Sequence, residues 1–286
     1  MVFDAGNVEG RSYSLCNGSF TLYGESQVGD ALVLEPGRLV RGWIRRLAPP
    51  DWQRGVVVDS HDAAVKTAWL SLVVAVIRTS EVEWLTNLDA LVSAENKLVQ
   101  HAVATGLGVP APETIVCSDA DVAREALGSE IILKPLGVGH YFEEEEPFVV
   151  YTTEVDPGGA ELEALSTVPF IAQRRLHARQ HLRVVTVGGD AWAGAVDADQ
   201  LTLDWRQEPI AHRSFTATII PVEVRRGAIE LADALHLGYS SQDWIVCDDA
   251  CYIVDVNPGG QWLFLPEPIT TEVNAAISGW LTGGTR

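Results

Sequence analysis

The sequence predicts an α+β fold, on three observations. Strand-like apolar segments pair through turns as antiparallel hairpins, helices with 3.6-residue apolar spacing lie among them, and apolar residues are numerous enough to fill a core. Of 286 residues 47% are hydrophobic and nine are Trp, which groups the chain with cored globular proteins rather than disordered ones. The length accommodates one large domain or two or three small ones.

Residues 1–85 read as a small α/β region, with short apolar segments in "ALVLE" and "GVVVDS" ahead of the apolar stretch "AWLSLVVAVI" at 68–77. From 88 the pattern sharpens. Leu91, Ala94, Leu98, Ala102 and Val103 recur at helical spacing and predict a helix through "LDALVSAENKLVQHAVATGLGVPAP", closed by Gly106 and Gly108 ahead of Pro110. "TIVCS" reads as a strand, "DADVAREALG" as a short helix opened by Asp119, and "EIILKPL" as a strand entering a glycine loop. The segments "FVVYTTEV", "PFIAQRRL", "LRVVTVGG" and "AWAGAVDA" read as strands, the last two as a hairpin around Gly188-Gly189. "VEVRRGAIELADALHLG" is an amphipathic helix ending at Gly238, "QDWIVCDDACYIVDVN" a second hairpin, and "PITTEVNAAISGWL" a closing helix. The run "EEEE" at 143–146 reads as a solvated loop between strands.

A formal charge of −19 argues against a nucleic-acid surface, which needs clustered Lys and Arg, but leaves room for ATP held by a few local cations. The N-terminal "MVFDAGNVEG" has no basic segment followed by an apolar run, so no signal peptide is expected. The 68–77 stretch is too short to span a bilayer, so no membrane partner is expected and a cytoplasmic location is. Cys16, Cys117, Cys247 and Cys251 form no Cys-x-x-Cys pair. Cys247 and Cys251 flank a turn, and a reduced structural role is expected of them.

The residues that could carry chemistry converge late in the chain. Asp255 and Asn257 lie two apart on a strand and so share a face, where a carboxylate and a carboxamide oxygen can hold a hard cation such as Mg²⁺. Asp243 lies on the strand that pairs with theirs through a hairpin. The plain alternative is a hairpin with acidic ends that begin a turn. Lys134 ends a strand beside Gly137 and Gly139, where an ammonium and backbone N–H groups can meet phosphate, although the spacing is not a Walker A loop. Arg183 starts a strand that reads as buried and needs either a structural carboxylate or a phosphate as partner. Arg206 and Arg213 are candidate contacts for a substrate carboxylate, while Gln261 and Trp262 suit either a place beside the site or a packed strand cap.

Lys97 in "AENKLVQ", Lys134 in "ILKPLG", Gln173 in "FIAQRR", Arg183 in "LRVVTVG", Asp243 in "QDWIV" and "DVNPGGQW" occur in an order that resembles the ATP-grasp ligases over residues 88–280. "GWIRR" at 42–46, "DWR" at 204–206 and above all "NPGGQW" at 257–262 are similar to the microviridin-type (graspetide) peptide ligases within that superfamily. The resemblance implies an ATP-grasp fold: an abbreviated N-terminal region at 1–87, a central subdomain at 88–175 and a C-terminal subdomain at 176–286, the last two clamping ATP. It implies that Lys97, Lys134 and the loop around Gly137 and Gly139 meet ATP phosphates. It also implies that Gln173, Arg174, Arg175 and Leu176 form the adenine hinge, that Asp243, Asp255 and Asn257 hold Mg²⁺, and that Arg183 stabilises the transferring phosphoryl group. The chain departs from the pattern with Asp255 where Glu is common, with Arg174 and Arg175 where an acidic residue often follows the Gln, and in lacking a clear opening β-α unit.

The implied activity is ATP-dependent ligation of a carboxylate through an acyl-phosphate, by positioning and charge neutralisation rather than a covalent nucleophile. The implied partners are ATP with Mg²⁺ and a precursor peptide, whose Asp or Glu side chains would form esters with Ser or Thr or amides with Lys; a homodimer is compatible with this. Two alternatives stand beside it: a ligase or cyclo-ligase of a free amino acid or small metabolite, and a non-catalytic nucleotide-binding partner protein.

Overall fold

The computed structural model describes residues 13–16, 19–22, 32–34, 40–47, 59–79, 81–136, 140–143, 146–149, 153–155, 169–201, 203 and 211–283. The chain divides into two compact units, Met1–Leu88 with Ser278–Arg286, and Asp89–Ile277.

In the first unit, strands β1 (Tyr13–Cys16), β2 (Ser19–Leu22) and β3 (Leu32–Leu34) form an antiparallel sheet in chain order. The apolar 68–77 stretch lies within helix α1 (His61–Thr79), and its Val76 is buried with Phe20 and Leu34. Strands β4 (Val40–Gly42) and β5 (Val82–Trp84) pair in parallel, with α1 between them in the chain. This β-α-β unit escapes the sequence because each strand is three residues long, too short to show a period. Arg41 fastens the unit: its guanidinium bonds Glu83 at 2.8 Å and the Trp280 carbonyl at 3.0 Å, and lies 5.4 Å from the Trp280 ring centre.

The second unit begins with a departure from the predicted helix. The chain forms two helices, α2 (Leu88–Ala94) and α3 (Lys97–Leu107), because Asn96 is extended and caps the second. Its Oδ1 accepts from the backbone N–H of Leu98 at 2.9 Å and Val99 at 3.4 Å. A short amide side chain competes with the helix for backbone hydrogen bonds, so it starts helices more readily than it sits inside them. Gly108, at φ 69°, closes α3 in the left-handed conformation that glycine adopts without strain.

Strand β6 (Thr114–Cys117), helix α4 (Ala120–Leu127, capped by Asp119) and strand β7 (Ile131–Lys134) follow as predicted. Strands β8 (His140–Glu143) and β9 (Glu146–Val149) pair as a hairpin, so the ends of the acidic run belong to strands. With β10 (Thr153–Val155) and β11 (Phe170–Arg174), a four-stranded antiparallel sheet has the order β10-β7-β11-β6. Its residues alternate: Ile131, Leu133, Phe170 and Ala172 pack with Ala123 and Leu127 of α4, while Ile132, Lys134, Ile171 and Gln173 stand on the other face.

The last third holds β12 (Gln180–Val187), β13 (Asp190–Asp197), α5 (Ala211–Ser214), β14 (Thr216–Ala217), α6 (Val222–Ala234), β15 (Tyr239–Val246), β16 (Cys251–Asn257) and α7 (Ile269–Leu281). The strands form a five-stranded antiparallel sheet, β14-β13-β12-β15-β16, with α3 and α6 against one face. Leu182, Val184, Ala193, Trp244 and Ile253 point to that core, with Ala228 and Leu231 of α6. Cys247 and Cys251 are free thiols, each held above its usual pKa by burial first and nearby carboxylates second.

Strand β16 carries the irregularity on which the site depends. Trp244 pairs with Ile253, yet Asp243 pairs with Asp255, so Val254 is an extra residue in β16. Strand residues alternate faces, and one inserted residue reverses the alternation. Cys251 and Ile253 therefore face the core before the bulge and Val256 faces it afterwards. Without the bulge, Asp255 would fall opposite Gln242 on the core side, where burial penalises a carboxylate.

Replacing the cap shared by neither helix interior should reveal how much α3 depends on it. Asn96→Ala is expected to lower unfolding stability by about 1 kcal/mol in denaturant titration, with the slope unchanged.

Candidate active site

The face opposite α6 gathers the residues that the sequence singled out. Arg183 pairs in register with Asp243, and Asp243 with Asp255, across three adjacent strands. The Arg183 Nη1 donates to Asp243 Oδ1 at 2.6 Å, and the two side chains are only 8% and 13% exposed. Asn257 Nδ2 donates to Asp255 Oδ2 at 3.1 Å, which turns the Asn257 carbonyl oxygen outward from that bond. Each carboxylate thus has one oxygen engaged and one without a hydrogen bond among the described residues. A buried ion pair of this kind is weak evidence for stability but strong evidence for fixed geometry, since losing one partner strands the other charge.

The segment after β16 returns over this face. Tyr239 Oη donates to the Gly260 carbonyl at 2.9 Å, and Ser241 Oγ to the Gln261 carbonyl at 3.3 Å. Arg183 donates to that same Gln261 carbonyl from Nε at 3.4 Å and Nη2 at 3.3 Å, and its guanidinium lies 5.8 Å from the Phe264 ring centre. Gln261 therefore meets the site through its backbone, with its side chain exposed. Trp262 is buried against Tyr239 and donates from Nε1 to Asn274 at 3.0 Å, the packed-cap role. Gly260 has no alternative: a Cβ there would lie 2.7 Å from Ser241 Cβ and 2.9 Å from Asn257 Cβ. Tyr239 and Ser241 were legible in principle, because they precede Asp243 at steps of two on one strand.

Asp255 also lines a cleft of about 430 Å³, counting the solvent it opens to, with Lys97, His101, Lys134, Ile171 and Gln173. Lys97 stands at the first turn of α3 and makes no hydrogen bond or ion pair among the described residues. Lys134 Nζ donates to the carbonyl of the bulged Val254 at 3.2 Å. His101 is held below its usual pKa, by burial first and by the Lys134 charge second. Gln173 is buried; its Nε2 donates to Thr114 at 2.9 Å, while its Oε1 has no partner among the described residues. An orphaned buried acceptor is costly, and a ligand that donates to it relieves that cost. A cleft with two ammonium groups, apolar walls and a lone acceptor suits an anion bearing a flat, N–H-donating group.

The remaining candidates lie elsewhere. Arg174, on the opposite side of β11 from Gln173, is exposed and bonds Glu113 from Nε at 3.0 Å and Nη2 at 2.6 Å. Arg175 and Leu176 follow it beyond the lining of the cleft. Arg213 is exposed on α5, next to His212, whose ring meets the Phe264 ring edge-on at 4.8 Å. Gly137, Gly139 and Arg206 lie outside the described residues. Among the described residues no group of three His, Cys, Asp or Glu gathers for a metal. Asp243, Asp255 and Asn257 instead offer the partial oxygen set that suits Mg²⁺, an ion that keeps waters and takes ligand phosphates as its other donors.

No family model matches the chain, and no curated protein sequence does. Solved structures match it over almost its whole length. A Chryseobacterium gregarium RiPP-associated ATP-grasp ligase, in complex with ADP and a leader and core peptide, aligns with a TM-score of 0.80 at 21% identity, covering 96% of this chain and 85% of that one. The Microcystis aeruginosa macrocyclase MdnC, bound with precursor peptide MdnA, aligns with a TM-score of 0.78 at 20% identity, covering 96% and 87%. A Bacillus anthracis D-alanine–D-alanine ligase complexed with ATP aligns less fully, with a TM-score of 0.52 at 14% identity, covering 70% and 68%. The chain has the ATP-grasp fold.

Two outcomes test this geometry. Gly260→Ala should cost about 1–3 kcal/mol of stability by calorimetry, because its Cβ meets two backbone-anchored Cβ atoms rather than a flexible tip. The pH dependence follows from His101, whose folded pKa lies below its unfolded value near 6.5. Its contribution is complete above about pH 6.5 and is lost as pH falls, because only the unfolded chain readily takes the proton. His101→Gln should therefore flatten the fall in melting temperature between about pH 6.5 and about pH 5.

Proposed function

We propose that the protein is an ATP-dependent ligase that activates carboxylates as acyl-phosphates, acting on a ribosomal precursor peptide to form graspetide-type side-chain esters or amides. One observation carries this reading: Asp255 belongs both to the lining of the two-lysine cleft and to the face that bears Arg183, Asp243 and Asn257. Cation groups for phosphate and oxygen donors for a metal thus meet at one residue.

The residues present fit ATP and Mg²⁺. Gln173 Oε1 is the acceptor that an adenine amine needs, and Lys97 and Lys134 bind phosphate oxygens as point charges. Asp243, Asp255 and Asn257 hold Mg²⁺, which when bound neutralises charge on the phosphate oxygens. Arg183 is fixed by Asp243 and the Gln261 carbonyl, so its guanidinium stabilises the transferring phosphoryl group without reorganising. A substrate carboxylate oxygen attacks the γ-phosphorus, the bond to the β–γ bridging oxygen breaks, and ADP leaves with that electron pair. A Ser or Thr hydroxyl or a Lys amine then attacks the acyl carbon, loses its proton, and inorganic phosphate departs. Catalysis of this kind rests on positioning and charge, and asks no covalent nucleophile of the chain.

The likeness of the fold to proteins solved with leader, core and precursor peptides supports a peptide as substrate over a free amino acid. No helix among the described residues is long and apolar enough to cross a membrane. ATP use together with free cysteines supports a cytoplasmic location.

The test is phosphate release from Mg-ATP in the presence of peptides rich in Thr, Glu and Asp, with the peptide mass followed in parallel. Release should depend on peptide, and the peptide should lose one water per bond formed. Asp255→Asn should lower that release about a hundredfold or more. Release stimulated only by free amino acids would move the substrate to a small molecule, and nucleotide binding without release under any condition would contradict ligase activity.

A further inference from the structure

Gln100 is buried, lies on α3, and has no assigned part in the reaction. Its Oε1 accepts from the Val256 backbone N–H at 3.0 Å, and its Nε2 donates to the Val256 carbonyl at 2.8 Å. The same Nε2 donates to the carbonyl of Ala94, the last residue of α2, at 2.6 Å. Val256 stands between Asp255 and Asn257. Strand β16 is the edge of its sheet, with β15 on one side only. Gln100 therefore reads both backbone groups of one residue as a neighbouring strand would, on the open edge of β16.

We propose that Gln100 is a positioning residue for the metal-binding carboxylate and carboxamide. The inference rests on the ligase reading of Asp255 and Asn257. The bulge at Val254 puts these two side chains on the Arg183 face, but a bulged edge strand has few restraints of its own. The Pro110 carbonyl accepts from the Ile253 N–H at 2.9 Å, and from the bulge onward two side chains add to it: Lys134 holds the Val254 carbonyl and Gln100 holds Val256. Lys134 is also a phosphate ligand in the proposed reaction, so its bond to Val254 competes with nucleotide. Gln100 touches neither phosphate nor metal in that scheme, so neither competes for its hold on Val256. Outer groups that orient metal ligands typically matter tenfold to a hundredfold in metal affinity.

The experiment uses the full chain and a non-hydrolysable ATP analogue, titrated with Mg²⁺, for wild type, Gln100→Met and Gln100→Glu. Gln100→Met keeps the length and removes every hydrogen bond; Gln100→Glu keeps an acceptor for the Val256 N–H and loses both donors. Gln100→Met should raise the Mg²⁺ concentration for half-saturation about tenfold or more, with analogue affinity in the absence of Mg²⁺ nearly unchanged. Gln100→Glu should fall between that variant and wild type. Amide hydrogen exchange at Val256, read without nucleotide, should quicken in Gln100→Met while amides in β12 remain protected. A faster Val256 amide with an unchanged Mg²⁺ requirement would overturn the positioning role and leave Gln100 purely structural. If wild type itself binds the analogue independently of Mg²⁺, the ligase reading fails and this inference fails with it. Should Gln100→Met not fold, Gln100→Glu decides between the same two results.

Discussion

Asp255 and Asn257 reach the Arg183 face because Val254 is inserted ahead of them, and the meeting of the cleft with that face depends on this insertion. The strand must bury Cys251 and Ile253 on one face and then Val256 on the same face, three residues after Ile253, which a regular alternation cannot do. The extra residue satisfies the core and delivers two polar side chains to the opposite side at once. It also leaves the Val254 carbonyl available to Lys134, which ties the cleft to the five-stranded sheet within one compact unit.

The second constraint is electrostatic. Arg183 and Asp243 are almost wholly removed from water, and breaking such a pair by removing one partner costs about 3–5 kcal/mol. The sheet accepts this because the guanidinium is also bonded to the Gln261 carbonyl and lies over Phe264, so its donors are met on several sides. The result is a cation that cannot relax away when an anion arrives. The net charge of −19 does not oppose this locally, because charges more than about 8 Å away through solvent are largely screened at physiological salt. In the proposed reaction, Lys97, Lys134 and Arg183 are the cations that an incoming phosphate would meet.

Much of this was legible in the residues, and the illegible parts have physical reasons. Strands β12 and β13 declare themselves through apolar runs around Gly188-Gly189, and the hairpin between β15 and β16 brings Asp243 beside Asp255 as their order implies. The bulge is silent, because an inserted Val resembles any other strand Val. The division of the 88–107 helix depends on one Asn whose amide outcompetes the helix, against an apolar period that continues across it. Gln100 is hidden differently: a polar residue in a helical run reads as solvent-facing, and only the open edge of β16 makes it a buried strand mimic. Gln261 meets the site through its carbonyl, a backbone role that its side chain does not signal. Arg174, conspicuous in the hinge sequence, is spent on Glu113 at the surface.

In the proposed reaction these groups pass a phosphoryl group to a carboxylate, and the oxygen atoms can be followed directly. A Thr-, Glu- and Asp-rich peptide substrate carrying heavy oxygen in its carboxylates would be turned over with unlabelled Mg-ATP, and the released phosphate examined by mass spectrometry. An acyl-phosphate route moves one heavy oxygen into phosphate for each bond formed. Phosphate released in step with bond formation but free of label would exclude an acyl-phosphate.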